Sequence, residues 1–148
     1  MKRQQPQASN PIDLAAKALR HRDRSRSQID ERLARAGVDE DRRSDALDAL
    51  ERMGYVDDTR FAAQRAESLA DREYGDEAIL ALLVAEGVTA EAAGEAVGTL
   101  RPEAERAAEI VARLGASPKT AARLARKGFG EDAVEAAAGG FATGGPEA

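Results

Sequence analysis

The sequence predicts an all-α protein made of three tandem three-helix repeats. Three observations carry that reading: apolar residues recur at helical spacing along most of the chain, capping residues and glycines stand where helices should begin and end, and one segment plan occurs three times. A first helix is expected near 11–21, where Asn10 caps, Pro11 takes the first helical position and Ile12, Ala15, Ala16 and Leu19 form a stripe. Ser25 and Gln28 form a capping box ahead of the stripe Ile29, Leu33, Ala36, and Gly37 ends that helix. Asp39 caps the third, which carries Ala46, Ala49, Leu50 and Met53 and stops at Gly54. The pattern continues through Phe61, Arg65 and Leu69 near 58–72, then Ile79, Leu82 and Leu83 up to Gly87. Thr89 caps a further helix, and Ala107, Ile110, Val111 and Leu114 mark another over 102–114, closed by Gly115. Ser117-Pro118 repeats the device of Asn10-Pro11, and Gly128 ends that helix.

The internal repeat follows from aligning three of these stops. Leu33, Leu83 and Leu124 each lie four residues before a glycine (37, 87, 128), and Val38, Val88 and Phe129 follow it directly. Asp39, Thr89 and Gly130 then cap the next helix. The repeats are drawn at 10–56, 57–101 and 102–138, with disordered tails expected at 1–9 and 139–148. A unit of this size buries little alone, so neighbouring repeats are expected to share apolar surface. The alignment has two irregularities: Arg42 and Arg43 occupy the place of Ala92–Ala93 and of Ala133–Val134, and Thr120 replaces Ile29 and Ile79. Either those units are shallower or the alignment slips locally by a turn.

Composition narrows the function classes. The 148 residues are 43% hydrophobic and 33% charged, which fits a folded chain, and aromatics are only 3%. No apolar run is long enough to span a membrane, and "MKRQQPQASN" has no apolar segment behind its charge, so a cytoplasmic protein is expected. With no cysteine and the single His21, there is no recognisable metal site and no thiolate chemistry, so no cofactor is expected. There is no phosphate-binding glycine loop and no interpretable nucleophile–histidine–acid spacing, so no catalytic residues are assigned. Net charge is −5, but it is uneven: residues 61–100 carry 2 basic and 8 acidic groups, a net of −6, while the flanking stretches stay near neutral.

One string stands apart. "GYVDDTRFA", residues 54–62, reads as a helix–cap–helix joint. Gly54 supplies the left-handed stop, Tyr55 and Val56 turn back onto apolar surface, Asp57 caps the next helix and Asp58 favours its dipole. Val56 and Phe61 have hydrophobic-staple spacing. Adjacent solvated aspartates on such a turn make a poor acid–base pair.

"RDRSRSQIDERLARAG" followed by "ALERMGYVDDTRFA" resembles the RecX family, regulatory proteins of the bacterial recombinase RecA. The resemblance covers roughly residues 12–138 and includes the three-repeat plan. It implies an elongated, curved helical array without enzymatic activity. It further implies binding to the RecA–single-stranded DNA filament, with restraint of filament growth, ATPase, strand exchange and repressor cleavage in DNA repair and the SOS response. The acidic middle suits a protein partner, or is simply a solvated face.

Two basic stretches are the candidate contact surface. On "KTAARLARK", Lys119, Arg123, Arg126 and Lys127 share one helix face with Ala121, Leu124 and Ala125 opposite. No acidic residue lies between Glu109 and Glu131 to neutralise them. The second stretch, with Lys17, Arg20, Arg22, Arg24 and Arg26, is denser but interrupted by Asp23. The plain alternative for both is a solvated charged face. At the level of function, a helix–turn–helix-like DNA-binding module stays open beside the filament regulator, and a generic helical scaffold would explain the repeat but not the joint string.

Overall fold

The computed structural model describes residues 10–139. Every regular element among them is a helix: α1 Pro11–Leu19, α2 Arg26–Arg35, α3 Glu40–Arg52, α4 Asp58–Asp71, α5 Asp76–Ala85, α6 Ala90–Gly98, α7 Glu103–Leu114, α8 Pro118–Arg126 and α9 Glu131–Ala137. The expectation of disordered tails falls on 1–9 and 140–148, outside the described residues; Gly139, counted with the tail above, is described and has φ +75°.

The expected caps are formed. Asn10, Asp39, Thr89 and Ser117 each accept a backbone N–H of the following first turn, and Ser25 and Gln28 make the reciprocal capping box. The five glycines expected as helix stops all have positive φ, from +80° at Gly54 to +101° at Gly87.

The chain divides into two compact units. The first holds the described residues up to Ala62 together with the turn Glu86–Val88. Its core is Ala15 and Ala18 of α1, Ile29 and Leu33 of α2, Leu47 and Leu50 of α3, and the loop residues Val38 and Val56. The second unit holds Ala63–Ala85 and the chain from Thr89 onward. Ala107 and Ile110 of α7 pack there with Ala121 and Leu124 of α8, Phe129 and Ala137. Small side chains let these helices approach closely, which is how a chain poor in aromatics fills a core.

The helix order fits the repeat reading, and burial adds to it. The succession of exposed, half-buried and buried positions over 21–30 is identical to that over 71–80. Both irregular positions have local solutions. Thr120 is 4% exposed and its Oγ1 donates to the Gly115 carbonyl at 2.6 Å, so the hydroxyl is satisfied where the other repeats bury isoleucine. Arg43 stands where Ala93 is fully buried; it donates to Asp30 at 2.9 Å and to the Val38 carbonyl at 2.8 Å.

A docking device also recurs. In the first unit the buried Ser25 Oγ donates to the Glu86 carbonyl at 2.6 Å, seating a glycine turn on the start of α2. In the second, Gly75 N–H donates to the Lys127 carbonyl at 2.7 Å, seating the turn at Gly128 on the start of α5.

Candidate partner-binding surface

The joint string is built from backbone contacts. Tyr55 N–H donates to the Leu50 carbonyl at 2.9 Å across the left-handed Gly54, closing α3. Asp57 Oδ1 accepts Arg60 N–H at 3.0 Å and so caps α4. Asp58 does more than complement the α4 dipole: its Oδ1 accepts Arg26 N–H at 2.8 Å, at the start of α2. Arg60 forks onto Asp23 at 2.7 and 3.0 Å and donates to the Gly54 carbonyl at 3.0 Å. Val56 and Phe61 are buried, but Tyr55 is 59% exposed and Met53 53%. The sequence placed both on apolar surface. After the left-handed glycine, Val56 enters the core and Tyr55 faces out. Met53 is the C-cap residue, just past the end of α3.

The N-terminal basic residues fall into two groups. Arg26 is paired with Asp48 at 3.0 Å and Glu51 at 2.7 Å, and Arg24 donates from Nε to the Ala18 carbonyl at 3.1 Å. Burial first, then the nearby charges of Arg22 and Arg32, push the Arg24 guanidinium below its usual pKa. Lys17, Arg20 and Arg22 are exposed and make no ion pair among the described residues. His21 is exposed beside them.

On α8 the predicted stripe splits. Lys119 and Arg126 are exposed and make no ion pair among the described residues. Arg123, at the edge of the buried arc, donates to Glu73 at 3.0 Å, and Lys127 Nζ lies 3.8 Å from the centroid of the Tyr74 ring. Ala121 and Leu124 are buried as expected, but Ala125 is exposed, because the buried arc turns toward Thr120 instead. The expectation that no carboxylate neutralises the stripe fails at Arg123, whose partner comes from 50 residues away.

That partner is the residue the sequence did not single out. Glu73 is the one non-glycine with positive φ among the described residues, at +67°. Its carboxylate accepts two hydrogen bonds from Arg113, at 2.6 and 3.0 Å, besides the one from Arg123. Arg113 first, then Arg123, hold its pKa down at about 2 against the cost of burial. Beside it lies an open cleft of about 290 Å³, whose walls include Arg101, Arg106, Glu67 and Asp71. The signal in the sequence was positional: Glu73 follows Leu69 by four residues, where Gly37 follows Leu33 and Gly54 follows Leu50.

This clasp makes stability pH-dependent. A carboxylate with a depressed folded-state pKa stabilises above its unfolded value and loses that contribution as pH falls through the folded one. The contribution should therefore disappear between about pH 4.5 and 2. Because both arginines are substantially exposed, its size is expected to be about 1 kcal/mol rather than the full shift. Urea midpoints of wild type and Glu73→Gln should converge over that window; a constant gap would rule the clasp out as the source.

Fold and surface together define a class: an all-helical protein with recurrent local devices, whose exposed cations and charge clasps suit contact with another macromolecule. Among the described residues no cluster of His, Cys, Asp or Glu is suited to a metal, and no helix is long and apolar enough to cross a membrane. The chain matches no protein-family model. It is 39% identical over 132 residues to the regulatory protein RecX of Chromohalobacter salexigens, covering 83% of this chain and 87% of that one. With the regulatory protein RecX of Xanthomonas oryzae pv. oryzae it shares 31% over 137 residues, covering 86% of each. The fold is similar to the crystal structure of RecX from Lactobacillus salivarius, with TM-score 0.74 at 18% identity over 86% of this chain and 91% of that one. A second regulatory protein RecX structure gives 0.68 at 20% identity, over 87% of this chain and 73% of that one. The chain belongs to the RecX family of regulatory proteins.

Proposed function

We propose that the protein is a non-enzymatic cytoplasmic regulator that binds the recombinase RecA as its filament on single-stranded DNA. It thereby restrains ATP hydrolysis, strand exchange and repressor cleavage in DNA repair and the SOS response. Membership of the RecX family carries this reading, since relatives named as regulatory proteins align along most of their own length. The surface is compatible with it: Lys119 and Arg126 on α8, and Arg20 with its neighbours after α1, present cations without ion-pair partners among the described residues. Arg24 and Arg26 in the first unit, and Arg123 and Lys127 in the second, are proposed as partly engaged members of their own basic stretches. Such contacts accelerate encounter and weaken with salt.

The protein should slow RecA ATP hydrolysis on single-stranded DNA when present below the RecA concentration, with no hydrolysis of its own. A coupled ATPase assay reads both. Unchanged recombinase turnover at equal molar amounts would refute the assignment. A DNA-binding module is the second reading, favoured by the gathering of Arg22, Arg24 and Arg32. A pull-down on naked single-stranded DNA at physiological salt separates the two, because a filament regulator should be retained only when RecA is present.

A further inference from the structure

We infer that Arg113 and Arg123 form a subsite for a carboxylate on an acidic segment of a protein partner. In the free chain Glu73 occupies that subsite, until the partner's carboxylate displaces it. The inference rests on the reading above that the partner is a protein.

The first observation is convergence. Two guanidiniums, from α7 and α8, aim three N–H donors at one carboxylate at 2.6, 3.0 and 3.0 Å. Arginine forks recognise a carboxylate by shape as well as charge, so the observed occupant reports the chemistry the subsite takes. A second observation is that the occupant stands on a turn that does not depend on the clasp. Glu73 is left-handed at φ +67°, where every other such residue among those described is glycine. The turn is closed by its own backbone bonds, Glu73 N–H to the Ala70 carbonyl at 2.9 Å and Tyr74 N–H to the Leu69 carbonyl at 3.1 Å, so the side chain can leave the clasp for an outside carboxylate while the turn stays in place.

The clasp is also within reach and incomplete. The side chains of Arg113 and Arg123 are 54% and 41% exposed. Arg123 Nε is buried with no hydrogen-bond acceptor, so one donor stays unused while Glu73 is the occupant. Lys119 and Arg126, on the same helix as Arg123, are placed to attract an acidic segment toward it.

The surroundings choose between polyanions. Glu67, Asp71 and Glu109 stand on the cleft that Arg113 and Glu73 border. A nucleic-acid strand carries a charge at every link and would meet those carboxylates, whereas a single side-chain carboxylate at the tip of a protein segment need not.

The probe is a capped peptide with one glutamate among glycines and serines, titrated against protein labelled with ¹⁵N in its arginine side chains. Signals of Arg113 and Arg123 are followed in wild type, Glu73→Gln and Glu73→Gly. Removing the internal competitor from arginines that are about half exposed should tighten peptide binding about fivefold in both variants. The glycine variant accepts the left-handed backbone, so its fold does not depend on the clasp. Adding Arg113→Ala and Arg123→Ala should abolish the gain. Equal peptide affinity in all three proteins, or no shift in any, overturns the inference. So does a gain seen with a thymidine oligonucleotide and not with the peptide, which would assign the site to nucleic acid. The RecA assay is independent: its failure beside a fivefold gain would refute the recombinase reading and leave the subsite standing.

Discussion

Gly128→Ala should lower the unfolding free energy by about 4 kcal/mol, the sum of roughly 1–2 for a left-handed alanine and roughly 1–3 for overpacking. Both costs have a structural source. Gly128 has φ +87°, and a Cβ built there would lie 2.4 Å from Ala78 Cβ and 2.7 Å from the Ala78 backbone nitrogen. The helix start it presses on cannot retreat without loosening the bond from Gly75 N–H to the Lys127 carbonyl. Gly75→Ala attacks the same seat from the other side, with its Cβ 2.4 Å from Phe129 N and 2.5 Å from the Gly128 carbonyl oxygen. Gly54→Ala is the control: φ is +80°, but nothing lies within 4 Å of its Cβ, so only the backbone cost of about 1–2 kcal/mol applies. Urea denaturation of the three variants orders them. If Gly54→Ala proved as damaging as Gly128→Ala, the seat would contribute nothing beyond backbone conformation.

That contrast also marks where sequence reading stops. Gly54 and Gly128 look alike in the sequence, since both follow an amphipathic stripe and both serve as left-handed stops. Capping and helix termination are local chemistry, set by residues within a turn or two, and so the positions of the helices were legible. What Gly128 touches was not, because Ala78 lies 50 residues earlier in the chain. The surface follows the same division. Helical periodicity placed Lys119 and Arg126 outward, yet it could not show that Arg123 meets Glu73 or that Lys127 covers Tyr74. The joint string announced Asp57 as a cap from its own neighbours, whereas the bond from Arg26 N–H to Asp58 spans 32 residues. Glu73 was the hardest to read. It fills the left-handed stop of α4, closed by Glu73 N–H to the Ala70 carbonyl and Tyr74 N–H to the Leu69 carbonyl, where the other stops carry glycine, and its two arginine partners come from helices 40 and 50 residues away.

Arg106→Ala should cost about 3 kcal/mol, because the side chain of this buried residue satisfies three separate acceptors. Nε donates to the Arg101 carbonyl at 2.9 Å, one terminal nitrogen to the Tyr74 carbonyl at 3.0 Å, and the other to Asp76. Its guanidinium also lies 5.9 Å from the centroid of the Phe129 ring. Arg106→Lys should recover little, since an ammonium on a single stem cannot reach acceptors in three directions. Asp76 is the informative comparison. Burial first, with Glu103 adding to it, pushes its pKa above the ordinary value despite the attraction of Arg106. A carboxylate with a raised folded-state pKa is a net cost when ionised, a cost relieved as pH falls toward that pKa. Asp76→Asn should therefore lose less than about 1 kcal/mol at neutral pH, far less than the loss of the arginine. The carbonyls of Tyr74 and Arg101 are what the arginine chiefly serves, tying the end of α4 and the approach to α7 into one unit. Thermal and urea melts of the three variants decide it: if Asp76→Asn destabilises as much as Arg106→Ala, the ion pair, and not the two carbonyls, holds this corner of the fold.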